Sequence, residues 1–494
     1  ELLKFLNKKL GTNGKCIAVS HARRFGKSHA AGMIDAYYSL GSDSSKLFEN
    51  TKIASDPDYE KYRNKYNVIH LDISSVWDYH KEDLIESIEE RVCEDFQKIY
   101  GDLLNYRRDF YLLIQDIYSL TGIPFVIIID EWDCVIRNSH DQALVHKYLQ
   151  FLHSLFKSEE SKSFLALGYI TGILPIKKIK DESALNNFQE YTMLDSYPIT
   201  EYYGFTEKEV KDLCKDYSMD FETVKAWYNG YLIDGEHMYN PNSVSQALER
   251  HKIDSYWRNT SAFDTINTFI TMNYAGLKDD VMKMLTGGKV RINTNTFQND
   301  FSIITSKDDA LTALIHLGYL GYDADRKKSF IPNYEVATAF ELALQTGSWK
   351  EIAESISKCD ELLDETIDGN AERVAELIEL AHETYTSILK YNDENVLSCV
   401  LTMAYFTAPA YYNVIREMPS GKGFADFVFL PRANAGNRPA MIIELKYNQS
   451  AETALKQIKE KRYQGALSGY QGKILLVGIN YDSEKHHTCM IEEL

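Results

Sequence analysis

The sequence predicts an α/β protein of more than one domain: a parallel sheet covered by helices at the start, a helical middle, and a second α/β sheet at the end. Three observations predict it. Short apolar runs alternate with longer amphipathic stretches as far as about residue 200. From there the pattern turns to helix after helix, and apolar runs return over the final segment. A chain of 494 residues also exceeds one ordinary core, since domains run to roughly 100–200 residues.

Composition narrows the class. Hydrophobic residues make up 44% and charged residues 26%, as in ordinary globular proteins, which excludes general disorder. The seven cysteines (Cys16, Cys93, Cys134, Cys214, Cys359, Cys399 and Cys489) are scattered without a Cys-x-x-Cys pair. That pattern argues against a disulfide framework or zinc ribbon and suits a reducing cytoplasm. No apolar run approaches the roughly 18 residues needed to cross a bilayer, so no membrane partner is expected. The chain opens at Glu1 with neither an initiator Met nor a signal-peptide pattern, as if a few residues precede it. A net charge of -18 counts against nucleic-acid binding over the whole surface but leaves room for a local basic groove. Much of the acidic excess lies in residues 350–383, which read as a solvated helical face.

The elements follow in order. Residues 15–20, 67–73, 125–129 and 164–170 are continuous apolar strands, as a sheet buried on both faces requires. Thr206 and Glu209 form a capping box at a helix start. Leu317-Gly318-Tyr319-Leu320, a polar turn and Ser329-Phe330-Ile331-Pro332 predict a hairpin followed by a helix, a winged-helix-like arrangement. Near the end come a helix over 394–406, strands over 423–431 and 440–447, a helix over 451–464 and a strand over 473–479. The expected domains are 1–200, a helical region 201–350, an acidic connector 351–385, and 386–494.

Two sets of residues carry chemistry. A strand ending at Ser20 turns into a helix opened by Gly26-Lys27-Ser28. Such a turn aims backbone N–H groups at phosphates, with a Lys for the outer phosphates and a Ser hydroxyl for Mg²⁺. His21 stands where the usual loop has its first glycine, and a bare Gly-Lys-Ser tripeptide is common. About a hundred residues on, the strand 125–129 ends in Asp130-Glu131, one carboxylate suited to the Mg²⁺ shell and one to the attacking water. Thr171, at the end of a third strand, offers a further hydroxyl near the γ-phosphate. In the last domain Asp426 lies on one strand, and Glu444 and Lys446 share a face of the next because side chains two apart point the same way. Two carboxylates and a lysine suit phosphodiester hydrolysis with Mg²⁺, although an isolated Glu-x-Lys pair is usually a plain surface ion pair. Lys456, Lys459, Lys461 and Arg462 add a local basic surface.

Taken together, the chain resembles the bacterial and archaeal proteins that join an AAA-ATPase-like N-terminal domain to a C-terminal PD-(D/E)XK nuclease-superfamily domain. The resemblance runs through Arg23-Arg24-Phe25-Gly26-Lys27-Ser28, Ile129-Asp130-Glu131-Trp132-Asp133, Tyr228-Asn229-Gly230-Tyr231, Tyr239-Asn240-Pro241, Ile331-Pro332-Asn333, Ala425-Asp426, Ile443-Glu444-Leu445-Lys446 and Gln457. It implies an AAA/ASCE-type P-loop fold followed by a restriction-endonuclease-like α/β fold. It further implies ATP at Arg24, Gly26, Lys27, Ser28, Asp130 and Thr171, with Ser28 and Asp130 toward Mg²⁺ and Glu131 toward water. At the nuclease it implies Asp426 and Glu444 as ligands of Mg²⁺ or Mn²⁺, Lys446 as the catalytic lysine, Gln457 as an accessory residue and Glu394 as an additional acid. His21-Ala22 and Phe424 depart from the usual pattern. The reading is an ATP-binding, Mg²⁺-dependent nuclease acting on DNA, in defence against or mobility of foreign genetic elements. The alternative is a nucleotide-switched binding module whose nuclease fold is inactive. A homo-oligomer would supply an arginine to the γ-phosphate, with Arg258 as one candidate.

Overall fold

A computed structural model describes residues 1–101, 110–139, 141–176, 185–257, 266–269, 271–272, 274–285, 287–298, 304–346, 358–389, 400–420, 423–432, 435–461, 467, 470, 472–483 and 486–494. Five strands form the first sheet: Cys16–Ser20 (β1), Asn67–Asp72 (β2), Phe125–Asp130 (β3), Leu165–Gly172 (β4) and Gln189–Thr192 (β5). Their order is β2-β3-β4-β1-β5, and every pairing is parallel. The central strands β1, β3 and β4 are buried along their whole length, which is why they read as unbroken apolar runs. Ile17, Val19, Val126, Ile128 and Tyr169 pack into one core, while Ala18, Ile127, Ile129 and Ile170 pack into another. One core lies on each face of the sheet because neighbouring residues of a strand point to opposite sides.

The chain divides into two compact units that interleave in sequence. The first holds Glu1–Glu207, Tyr231–Asn242 and Arg291–Ser329; the second holds Lys208–Gly230, Ser243–Val290 and Phe330–Leu494. Residues of the 201–350 region thus enter both. In the first unit, Phe205–Thr206 (β6), Tyr231–Ile233 (β7) and Glu236–Tyr239 (β8) make a small sheet in the order β6-β8-β7. Val290–Arg291 (β9), Gly321–Asp323 (β10) and Lys328–Phe330 (β11) make another, and the helix Tyr334–Thr346 follows the β10–β11 hairpin. Tyr231 donates its hydroxyl to the carbonyl of Gly318 at 2.9 Å, joining two of the sequence motifs.

The second unit carries the mixed sheet Tyr412–Ser420 (β12), Gly423–Pro431 (β13), Ala440–Tyr447 (β14), Ile474–Tyr481 (β15) and His487–Glu493 (β16), in that order. Only the β14–β15 pair is parallel, and the helix Ala451–Glu460 makes the crossover between them. Its Leu455 and Ile458 pack on Val428, Ile442 and Leu476. The edge strands β12 and β16 add to the three expected from sequence. Neither is an unbroken apolar run, since β12 carries Arg416, Glu417 and Pro419 and β16 ends in two glutamates.

In the same unit, Asn229-Gly230 meets Ile331-Pro332. Gly230 has φ 113°, and a Cβ there would lie 1.8 Å from the carbonyl oxygen of Pro332. Both the left-handed backbone and the close approach demand glycine. Gly230→Ala is therefore expected to destabilise this unit by about 2 kcal/mol or more, read as a lower urea midpoint. An unchanged midpoint would remove this account of the paired motifs.

Candidate functional site

The phosphate loop is built from the end of β1. The chain leaves Ser20, passes through His21 to Phe25, and enters the helix Lys27–Tyr38 with Gly26 at φ 87° as its cap and Arg24 at φ 69°. The missing early glycine has a structural counterpart. His21 is fully buried with Nε2 2.9 Å from Ser196 Oγ, and Phe25 is buried edge-on to Tyr231 at 5.1 Å between ring centres. The Phe25 carbonyl accepts from Gly204 N at 3.1 Å, and the Arg23 carbonyl accepts from Asn240 Nδ2 at 3.4 Å. Burial, with Lys27 and His316 nearby, pushes the His21 imidazole down to about 3, so it stays neutral. Lys27 is buried and donates to the carbonyl of Ala22 at 2.9 Å. Burial pulls its ammonium below the usual range, while Glu131, Asp133 and Asp130 act the other way.

The acidic side of the cleft comes from β3. Asp130 sits beside Asp72 in register, and its Oδ1 accepts from the Thr171 hydroxyl and from Glu131 N at 3.1 Å. Thr171 is buried and reaches the site through Asp130. Among the described residues no hydrogen bond engages Asp130 Oδ2, which suits a carboxylate that takes a hard cation with Ser28 across the cleft. Glu131 follows at φ 52°. Its Oε2 accepts from Arg137 Nη2 at 2.5 Å, and Arg137 Nε donates to Asp133 Oδ2 at 2.9 Å. Asp133 is fully buried, and its Oδ2 also accepts from Ile173 N at 3.1 Å and Leu174 N at 2.9 Å. Burial and the Asp133 charge raise the Glu131 carboxyl, opposed by Lys27 and Arg137. Arg24, Gly26, Lys27, Ser28, Asp130, Glu131 and Arg137 all line one cleft of about 580 Å³. Its volume and its mix of cations, backbone donors and carboxylates fit a nucleoside triphosphate with its metal.

The second site lies on the mixed sheet. Phe427 pairs with Ile443, so the antiparallel register sets Asp426 opposite Glu444. Asp426 Oδ2 accepts from Leu445 N at 2.8 Å. Glu444 is buried, and its Oε1 accepts from Lys446 Nζ at 3.0 Å and from Gln457 Nε2. Its Oε2 is buried with no hydrogen-bond partner among the described residues. Burial and the Asp426 charge raise the Glu444 carboxyl, with Lys446 opposing. An orphaned carboxylate oxygen beside a second carboxylate is a fitting place for Mg²⁺ or Mn²⁺. No group of three or more His, Cys, Asp or Glu side chains gathers at a metal-binding spacing among the described residues. Two carboxylates still suffice for Mg²⁺, which keeps several waters or substrate oxygens.

Gly478, in register with Glu444, explains how Gln457 gets there. A Cβ at Gly478 would lie 2.4 Å from the Ala451 carbonyl oxygen and 3.1 Å from Ala454 Cβ. Glycine lets the helix Ala451–Glu460 lie close against β15 and carry Gln457 to Glu444. The basic residues of that helix are partly neutralised: Lys456 pairs with Glu460 at 3.7 Å and Lys459 with Glu492. The structure brings together Asp426, Glu444, Lys446 and Gln457, and separately Arg24, Gly26, Lys27, Ser28, Asp130 and Glu131. Glu394, Arg258 and Arg462 lie outside the described residues. Sequence reasoning missed Arg137, Asp133 as its anchor, Asn240 as a loop tie, and Gly478. The Trp132-Asp133 extension of the acidic motif was the one available signal.

Comparison with known proteins agrees with this division. Residues 4–180 match the predicted AAA-ATPase family, and residues 392–491 match the PD-(D/E)XK nuclease superfamily. The chain thus joins an AAA-ATPase-like domain to a PD-(D/E)XK nuclease-superfamily domain. A curated relative from Azotobacter chroococcum mcd 1, described as an uncharacterized protein in the vnfD 5' region, is 24% identical over 251 residues. That match covers 49% of this chain and 46% of the relative, so the chain spans about half the length of the relative it matches. Among solved structures, the STAND protein with a tetratricopeptide repeat sensor from Pyrococcus horikoshii is 16% identical with a TM-score of 0.26, covering 81% of this chain and 52% of that one. The ORC2 protein of Aeropyrum pernix, solved as ADPNP–ADP complexes, is 11% identical with a TM-score of 0.28, covering 70% and 93%. Scores so low place no element. No described helix is long and apolar enough to cross a membrane.

Proposed function

We propose that the chain is an ATP-binding, divalent-metal-dependent nuclease acting on DNA in the cytoplasm, in defence against or mobility of foreign genetic elements. The single observation that carries the nuclease half is the buried, unpartnered Oε2 of Glu444 beside Asp426, with Lys446 on the same strand face. Asp426 and Glu444 would hold Mg²⁺ or Mn²⁺. The ion, when bound, lowers the pKa of a coordinated water and takes up charge developing on the phosphate. Lys446 orients the nucleophile or meets that charge, and Gln457 fixes the Glu444 carboxylate. At the other site Lys27 meets the outer phosphates, Ser28 and Asp130 the metal, and Glu131 the attacking water. The purified chain is expected to cut DNA with Mg²⁺ or Mn²⁺, to stop with EDTA, and to change rate with ATP. Selective cutting of RNA would refute the substrate assignment.

One observation favours a second reading, a nucleotide-switched module that binds without cutting. Lys456 and Lys459, which would draw a phosphate backbone to the nuclease face, are already paired with glutamates. Retained ATP binding without cleavage of DNA or RNA in either metal would favour it.

A further inference from the structure

We infer that Arg137 is the positioning residue of the ATP-hydrolysing centre, holding the Glu131 carboxylate aimed into the cleft. The inference rests on the ATPase reading above. Its geometry is a relay of fixed groups. The backbone N–H groups of Ile173 and Leu174, just past β4, both bond Asp133 Oδ2, and that same oxygen takes Arg137 Nε at 2.9 Å. Anchored by a carboxylate with no solvent exposure, the guanidinium presents Nη2 to Glu131 Oε2 at 2.5 Å. The Glu131 backbone is fixed as well, by its N–H to Asp130 Oδ1 at 3.1 Å and by Trp132 N to the Thr171 carbonyl at 2.9 Å. Only the side chain of Glu131 is left to orient, and Arg137 orients it.

The charges around Glu131 make the same demand. It shares a largely buried corner with Asp130 and Asp133, and Lys27 and Arg137 are the cations that face it. Once ATP is bound, Lys27 turns to the phosphates, and the added negative charge falls beside Glu131. Arg137, held by Asp133, is the cation that remains paired with the carboxylate. In hydrolysis a water oxygen bonds the γ-phosphorus as the bond to the ADP oxygen breaks, and the water's proton passes to Glu131 or, through it, to solvent. A guanidinium fixed through Nε to Asp133 orients Glu131 through Nη2 better than a mobile ammonium would.

The test is ATP turnover of the full chain, with ATP affinity measured on the same preparations, for wild type, Arg137→Lys, Arg137→Met, Glu131→Gln and the Arg137→Met/Glu131→Gln pair. Arg137→Met is expected to lower kcat by about 100-fold with less than about a threefold change in ATP Kd. Arg137→Lys should recover part of the loss and keep the folding question separate. In the Glu131→Gln background Arg137→Met should cost little more, because the two act as one unit. Full turnover in Arg137→Met, a loss carried by ATP Kd rather than kcat, or losses that multiply in the pair would overturn the inference. Wild type that binds ATP without turning it over would overturn it too. Wild type that binds no ATP would overturn the ATPase reading itself, an outcome distinct from an indifferent Arg137.

Discussion

Glu444→Ala is expected to lower metal-dependent DNA cleavage by at least about a thousandfold while ATP binding stays unchanged. The carboxylate is buried, faces Asp426, and anchors both Lys446 and Gln457 through Oε1. Its removal takes away one of two metal-binding carboxylates and the fixed partner of the lysine. Glu444→Gln separates chemistry from packing. Because burial and Asp426 raise the folded-state pKa of Glu444, its contribution to stability is full below the unfolded value and is lost as pH rises through the folded one. In metal-free buffer the melting temperature of wild type relative to Glu444→Gln should therefore fall as pH rises from the acidic range toward neutrality, so that Glu444→Gln melts higher at neutral pH. Mg²⁺ or Mn²⁺ should raise the wild-type melting temperature, release a proton, and raise that of Glu444→Gln less, by what the Ser28 and Asp130 site alone contributes. A metal-induced shift as large in Glu444→Gln as in wild type would place the ion elsewhere.

Lys27→Ala carries the second large effect, a loss of ATP affinity of at least about 100-fold, equivalent to about 2.7 kcal/mol. In the ATP-free chain the ammonium is satisfied by the Ala22 carbonyl and lies near Glu131, Asp133 and Asp130. Binding exchanges that carbonyl for phosphate oxygens, a stronger partner for a buried cation. Fluorescent-nucleotide titration measures the change. Affinity within threefold of wild type would contradict the assignment of the phosphate loop. Metal-dependent stabilisation at Asp426 and Glu444 should persist in Lys27→Ala, because the two sites are built from separate units of the chain.

What could be read from the sequence was local, and what could not was brought from afar. The turn from β1 into the helix at Lys27 and the acidic end of β3 lie within a few residues of the apolar runs that announce them. The facing of Glu444 and Lys446 follows from the two-residue period of a strand, and Asp426 follows from a hairpin. Arg137 escaped because it reaches Glu131 across a turn whose left-handed residue no spacing rule registers. Asn240 ties the loop at Arg23 from 217 positions away. Gly478 matters only because a helix lies almost in contact with its strand, and Gly230 only because Pro332 occupies the space a side chain would need. The edge strands β12 and β16 carry polar residues suited to a sheet border, so they lack the apolar signature of their neighbours.

Diffraction from crystals soaked with ATP and Mn²⁺, with the anomalous signal of manganese recorded, tests the claim of two separate metal-using sites most directly. Two peaks are expected, one between Ser28 and Asp130 and one between Asp426 and Glu444, the second within about 2.5 Å of Glu444 Oε2. A chain that cuts DNA in the same Mn²⁺ buffer yet gives no peak at Asp426 and Glu444 would contradict the account.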